Sequence, residues 1–402
     1  MKVLSVVGTR PHFVKAAPVS RALDGACEHV LVHTGQHYDD ALSERFFREL
    51  DIPRPDHDLR VGSADHGPQT AMMLSSLSAV LRAESPDVVL VYGDTNSTLA
   101  GALATAKLPP TLAHVEAGVR CFNRDIPEEV NRVLTDHASD LLFAPTETAV
   151  DNLAAEGVTA GVTNTGDVLY DALLWARDRL DAGVLDEFGV VPGEYVLSTV
   201  HRAHNTDDPE RLGAILRAFG SLALPVVLPA HPRTREAVAA HGLDVPANVK
   251  LVEPVSYLDF LALLDGAARV ATDSGGVRKE AFYLDTPCVT LREETVWPET
   301  VAAGWNELVG TDEGAIVRAL TREWDLGEKP APYGEGTRRS QSGRRYSVSS
   351  DPTEAPFALC LTHDVDRVRK SYQSLYYAVR DRDPHTCAGW CRAGTPTGSS
   401  TA

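Results

Sequence analysis

Arg269-Val270-Ala271-Thr272-Asp273-Ser274-Gly275-Gly276-Val277-Arg278-Lys279-Glu280-Ala281 reads as a short buried strand, a Ser-Gly-Gly turn and an amphipathic helix. A helix that begins at such a turn points unpaired N–H groups outward. Together with the helix dipole they favour an anion, a pyrophosphate above all. Gly275 and Gly276 allow close backbone approach to that ligand. Glu280, one turn into the helix, stands where it can accept hydrogen bonds from a ribose diol. A plain strand-to-helix connection is the competing reading, because Ser-Gly-Gly alone is a short signal.

The same grammar recurs outward from this stretch. Residues 194–200 form an apolar strand ending in His201-Arg202, residues 224–229 end in Ala230-His231-Pro232, and residues 248–252 end in Glu253-Pro254. Earlier in the chain, residues 2–7 precede Gly8-Thr9-Arg10-Pro11 and a helix through Leu23, and residues 29–33 form a second strand. Residues 67–84 form a helix before the strand 87–92, which ends in Gly93-Asp94-Thr95. A helix over 97–106 then leads to the strand 111–115 and Glu116-Ala117-Gly118. Strands without polar alternation, separated by helices, predict an α/β fold with parallel sheets covered on both faces. The pattern restarts after about residue 170. The expected organisation is therefore two Rossmann-like domains (1–170 and 171–336) facing a central cleft, in the manner of glycosyltransferase-B folds. Residues 337–402 are an atypical tail, read as disordered or as a truncated fusion remnant. Neither half carries G-x-G-x-x-G after its first strand, which weakens an NAD reading.

A chain of 402 residues suits two cores better than one. Its formal net charge of −18 argues against a nucleic-acid surface, so an anionic ligand would depend on local Arg, Lys and helix termini. No apolar run is long enough for a membrane span, and no signal peptide is read before the first strand. The six cysteines lack metal-ligand spacing, so no metal site is expected and a reducing cytoplasm is the simplest setting.

Strand ends gather Arg10, Lys15, Asp94 and Glu116 in the first half, with Glu128 nearby in Pro127-Glu128-Glu129-Val130-Asn131-Arg132. The second half adds His201, Arg202, His231 and the 273–280 turn. Three carboxylates facing an anion site suit removal of a proton from carbon and its return. Carboxylates crowded in a closed cleft are expected to have raised pKa values. Each position also has a plainer reading. Asp94 can cap the helix after it, Glu128 and Glu129 can serve the dipole of theirs, His201 can be structural, and Arg10 can pair with a surface carboxylate.

Seven ordered motifs carry a resemblance. They are Gly8-Thr-Arg-Pro11 with Lys15, Tyr92-Gly-Asp-Thr95, His114-Val-Glu-Ala-Gly118, Pro127-Glu-Glu-Val-Asn-Arg132, Pro145-Thr-Glu-Thr148, Thr199-Val-His-Arg202, and Thr272-Asp-Ser-Gly-Gly276 with Glu280. Over about residues 1–336 the chain resembles the non-hydrolysing UDP-N-acetylglucosamine 2-epimerase family. The resemblance implies chemistry without cofactor or metal: UDP leaves C1 as the C2 proton is removed, and a 2-acetamidoglucal forms. UDP then re-adds, giving UDP-N-acetylmannosamine. It makes Asp94, Glu116 and Glu128 the acid/base carboxylates and His201 an essential histidine. Arg10 and Lys15 fall near the diphosphate and sugar, and His231 belongs with the substrate-binding set. Phe260 falls at the uracil, Ser274, Gly275 and Gly276 at the diphosphate, and Glu280 at the ribose. A homodimer supplying surface-polysaccharide or glycan precursors is also implied. So is an activator site for a second substrate molecule near Gln36, His37, Gln69 and Arg202.

Departures stand in or beside ligand loops: His12 and His204 where the family has Glu, and Thr295-Val296-Trp297-Pro298-Glu299 without the frequent Arg. They leave open a related UDP-diacetamido-uronic acid substrate, a glycosyltransferase of the same fold, or a UDP-sugar sensor. In the tail, Thr362-His-Asp-Val-Asp366 resembles the opening strand of polysaccharide deacetylases, without that family's downstream histidines.

Overall fold

The computed structural model describes residues 1–36, 46–327 and 329–334. Two wholly parallel sheets organise them. The first contains β1 (Lys2–Val7), β2 (Glu28–His33), β3 (His57–Asp58), β4 (Val88–Tyr92), β5 (Thr111–Val115), β6 (Leu141–Ala144) and β7 (Val162–Asn164), in the order β3-β2-β1-β4-β5-β6-β7. The second contains β8 (Val196–Thr199), β9 (Val226–Pro229), β10 (Val249–Val252), β11 (Arg269–Thr272), β12 (Cys288–Thr290) and β13 (Asn306–Leu308), in the order β10-β9-β8-β11-β12-β13. Each sheet starts in its middle, winds outward, then crosses back to wind the other way. The direction reverses between β1 and β4 and again between β8 and β11. Crevices at the carboxyl ends of such strands are where open α/β sheets take ligands.

The apolar runs work because both faces of each sheet are covered. Along β1, Val3 and Val7 pack with Phe13 and Ala17 of the helix Arg10–Leu23, while Leu4 and Val6 pack with Met73 and Leu77 of the helix His66–Glu84. That is the period of two expected of a strand buried on both sides. The register sets Thr199 beside Thr272, so His201 and Asp273 leave the second sheet next to one another. The longer strands lie within a residue or two of the sequence reading. The additional strands β3, β6, β7, β12 and β13 are two to four residues long, too short to leave a pattern. After β7 the helix Val168–Arg177 packs on Arg10–Leu23 and on Gly275–Tyr283. Tyr170 stacks on Tyr283 at 4.5 Å between ring centroids, and one hydrophobic core runs through both halves. No helix among the described residues is long and apolar enough to cross a membrane. The tail from 337, with its His-Asp-Val-Asp run, lies outside the described residues.

Candidate active site

The floor of the site is the turn after β5. Glu116 adopts φ 75°, a left-handed conformation that costs a non-glycine residue on the order of 1 kcal/mol or more. The N–H groups of Glu116 and Ala117 both donate to Phe143 O at 3.1 Å, which pins this geometry. At Gly118 a side chain would stand 2.2 Å from Ala149 O, so only glycine fits. Beneath, the fully buried His114 bridges Gly93 O at 2.7 Å and Asp136 Oδ1 at 2.6 Å. Asp136 in turn accepts from Gly118 N at 3.0 Å and Arg120 Nη1 at 2.7 Å. This network ties the end of β4 to the end of β5.

The Glu116 carboxylate is clamped from two sides. Lys15 Nζ lies 2.8 Å from Oε1, and Lys279 Nζ, from the second half, lies 3.1 Å from Oε2. Lys279 also reaches Asp167 Oδ2 at 2.7 Å and sits 3.7 Å from the centre of the Trp297 ring. Burial works against a charge on Glu116, but Lys15 and Lys279 outweigh it and hold the carboxyl below its usual range. Asp94 pairs with Arg132 of the helix Pro127–Ala138. Burial would raise its pKa too, yet the charges of Arg132, Lys15 and Arg202 hold it down at about 2. The crowding argument for raised pKa values therefore fails at Asp94 and Glu116. Sequence spacing counted the neighbouring acids, whereas folding supplied a basic side chain to each. The capping reading of Asp94 is also excluded, because Thr95 and Thr98 form the capping box of the helix Asn96–Thr105. Glu128, in the first turn of its helix, accepts from Arg202 Nη1 of the opposite half at 2.7 Å.

The second half is organised by Asp273, which sequence reasoning did not single out. Completely buried, it accepts from the backbone N–H of His201 at 3.0 Å and of Arg202 at 2.9 Å. It also accepts from Asn205 Nδ2 at 3.2 Å and lies 3.1 Å from His201 Nδ1. Burial pushes its pKa up, but the His201 ring and those backbone donors hold it at about 2. Ser274 caps the helix Gly275–Tyr283. Neither Gly275 nor Gly276 has a left-handed φ. A side chain at Gly276 would meet open space, and one at Gly275 would meet only Arg278 and Trp297 at 3.6 and 3.7 Å. The chain's own packing therefore does not require these two glycines. Arg278 is buried, donates to Ser274 O at 3.1 Å and Thr295 Oγ1 at 2.8 Å, and has no carboxylate at ion-pair distance among the described residues. Burial and then Arg292 bring its pKa down to about 10. The departing Thr295–Trp297 run thus holds both cations of the helix, Arg278 through Thr295 and Lys279 under Trp297. Glu280 is buried, and burial pushes it up to about 7 against the opposing pull of Tyr257 and Lys279.

Of the other expected residues, Arg10 opens the first helix with its guanidinium 5.5 Å from the centre of the Phe46 ring. Phe260 is half-buried against the shared core. His231 is exposed and its Nδ1 caps the helix Pro232–Ala240, accepting from Arg233 N at 3.2 Å. Gln36 Oε1 accepts from Ser97 N and Oγ at 3.0 and 2.7 Å, while Gln69 Nε2 donates to Gly62 O at 2.8 Å. These side chains therefore already serve the helix Asn96–Thr105 and its surroundings; His37 lies outside the described residues. Buried His12 has Nε2 3.3 Å from Thr95 Oγ1, and exposed His204 lies 3.7 Å from Glu293. Lys279, Arg132, Asp167, Arg278 and Asp273 are the additions that folding makes. Lys279 and Arg278 stand inside the quoted stretch, where helical spacing from Ser274 was the available signal. Arg132 likewise ends one of the quoted motifs.

Two Rossmann-like units whose switch points meet, with an anion-receiving helix end on one side and carboxylates on the other, define a nucleotide-sugar enzyme of the glycosyltransferase-B-like class. A family profile described as UDP-N-acetylglucosamine 2-epimerase matches residues 21–341. A Methanococcus maripaludis UDP-N-acetylglucosamine 2-epimerase homolog is 49% identical over 329 residues, covering 80% of this chain and 92% of the relative. The Pseudomonas aeruginosa UDP-2,3-diacetamido-2,3-dideoxy-D-glucuronate 2-epimerase is 46% identical, covering 79% and 91%. The crystal structure of Methanocaldococcus jannaschii UDP-GlcNAc 2-epimerase in complex with UDP-GlcNAc and UDP is 40% identical. It covers 83% of this chain and 96% of that one, with a TM-score of 0.77. The chain belongs to the UDP-N-acetylglucosamine 2-epimerase family and is an isomerase.

Proposed function

We propose that this protein interconverts UDP-N-acetylglucosamine and UDP-N-acetylmannosamine by eliminating UDP and adding it back. The observation that carries the reading is the contact between the halves. Lys279–Glu116 and Arg202–Glu128 bring the helix end at Ser274 against the carboxylates of the first unit. Ser274, Gly275 and Gly276 with Arg278 offer the diphosphate donors and charge, and Glu280 offers the ribose an acceptor. Arg10 and Lys15 face the sugar end, Phe260 the base, and His231 the rim.

In the forward direction the C2–H bond breaks, its electron pair forms the C1=C2 double bond, and the C1–O bond breaks with its pair leaving on UDP. Asp94 and Glu116, held ionised by Arg132 and the two lysines, are built to accept a proton rather than to store one. The leaving UDP gathers negative charge that the helix end, Arg278 and His201 can match. Return of a proton to the opposite face of C2, with UDP rejoining C1, completes the epimerisation. Glu128 is the third carboxylate available for that exchange. Closure of the two units keeps water from the glycal.

Incubation with UDP-N-acetylglucosamine in deuterated water tests this. Deuterium at C2 in both epimers is expected; hydrolysis, transfer to an acceptor, or binding without exchange would refute it. The 46% identity to the diacetamido-glucuronate enzyme favours a second reading, in which that uronate is the better substrate. Comparing kcat/KM for the two substrates decides between them.

We further propose a domain boundary near residue 170, a cytoplasmic location and a homodimer. Exposed Met72, Leu103 and Leu134 on neighbouring helices support a shared face between copies. Light scattering at twice 43.3 kDa is the expected result.

A further inference from the structure

We infer that Lys279 is a positioning residue for Glu116, a cation carried by the anion-receiving helix that keeps the other unit's carboxylate ionised and aimed. The inference rests on the epimerase reading above. Lys279 comes from the helix Gly275–Tyr283, Glu116 from the turn after β5, and Asp167 from the entry to the helix after β7. All three side chains are buried, with 1%, 7% and 1% of their surfaces exposed. A lysine this deep, between two carboxylates from another part of the chain, is no solvated surface charge. Its ammonium acts where water screens little.

The two carboxylate oxygens of Glu116 are divided between two cations of different origin. Lys15, on Oε1, belongs to the same unit as Glu116, so its grip persists whatever the second unit does. Lys279, on Oε2, is present only while the units touch. It stands on the helix whose first turn is the proposed diphosphate seat, and that helix is one rigid piece. A ligand that fixes the helix end therefore fixes the ammonium as well. The left-handed backbone at Glu116 aims the start of its side chain, and the two lysines settle the remaining torsions. Asp167 gives Lys279 a second partner, so the ammonium keeps a counter-charge beside the link between the units.

The groups facing Glu116 are Lys15 and Lys279, which favour its charge, and Asp94, which opposes it. Tyr283 also interacts with Glu116, and Asp167 lies beyond Lys279. His12 Nε2 lines the space at Gly93 beside Lys15 and Glu116. Removing Lys279 leaves one favourable charge against burial and Asp94. An opposite charge at this range moves a carboxyl by roughly one to three pH units.

The test is the pH profile of kcat/KM, read as deuterium incorporation at C2 of UDP-N-acetylglucosamine, in the wild type, Lys279→Arg and Lys279→Met. Lys279→Met leaves two buried carboxylates facing each other and can fail to fold. The double variant Lys279→Met/Asp167→Asn, which removes the second charge, is therefore measured beside it. The acid limb is expected to hold its place in Lys279→Arg. In the folded Lys279→Met variants it should move up by about one pH unit or more, with kcat at pH 6 falling about tenfold and KM little changed. An unmoved limb, or a loss of kcat equal at every pH, overturns the inference and leaves the epimerase reading standing. Absence of exchange in the wild type overturns both.

Discussion

Replacing Glu280 by Gln should make the free protein more stable at pH 8 while weakening UDP binding. Glu280 is 5% exposed, and burial lifts its carboxyl from the ordinary 4.5 to about 7. A group whose folded pKa is raised contributes stability that is fully present below its unfolded value. That stability is lost as pH rises through the folded value. At about 1.4 kcal/mol per pH unit the whole loss is about 3 kcal/mol, of which about 2.5 kcal/mol falls between pH 5 and pH 8. Gln cannot ionise, so the variant escapes this loss. The assay is thermal unfolding of the ligand-free protein and Glu280→Gln at both pH values. The midpoint difference in favour of the variant should widen by roughly 5–10 °C from pH 5 to pH 8. UDP titration should then show weaker binding to the variant, since the ribose loses an ionised acceptor. A midpoint difference that stays the same at the two pH values would refute the reasoning, whatever its sign. The trade is the kind expected where a binding site holds a group its surroundings disfavour.

Two further predictions concern the second unit. Gly275→Val should abolish UDP binding measured by calorimetry while leaving the circular dichroism spectrum unchanged, because the nearest protein atoms to an added side-chain carbon lie at 3.6 Å. Normal UDP affinity in that variant would remove the proposed diphosphate seat. Asp273→Asn should cost about 2 kcal/mol at neutral pH, the worth of holding its carboxyl at about 2 rather than 3.8. That stability is present above pH 3.8 and lost as pH falls toward 2. The same change should lower kcat by loosening His201, and denaturant midpoints with initial rates check both parts.

The sequence by itself determined the architecture and the addresses of the chemistry. Unbroken apolar strands such as Val3–Val7 and Val88–Tyr92 can be buried only between two layers of helices, and polar residues at their ends can only collect at one edge of a parallel sheet. That much is local, because it depends on periodicity and on the residues directly after each strand. Only the tertiary structure decided which charge meets which. The acids at 94, 116 and 128 looked like a mutually repelling cluster along the chain. In space each is answered by Arg132, by Lys15 with Lys279, or by Arg202, from 38, 101, 163 and 74 residues away. Electrostatic energy falls with distance through space and is indifferent to separation along the chain. The protonation states of this site are therefore a property of how the two sheets face one another, and no motif could have stated them.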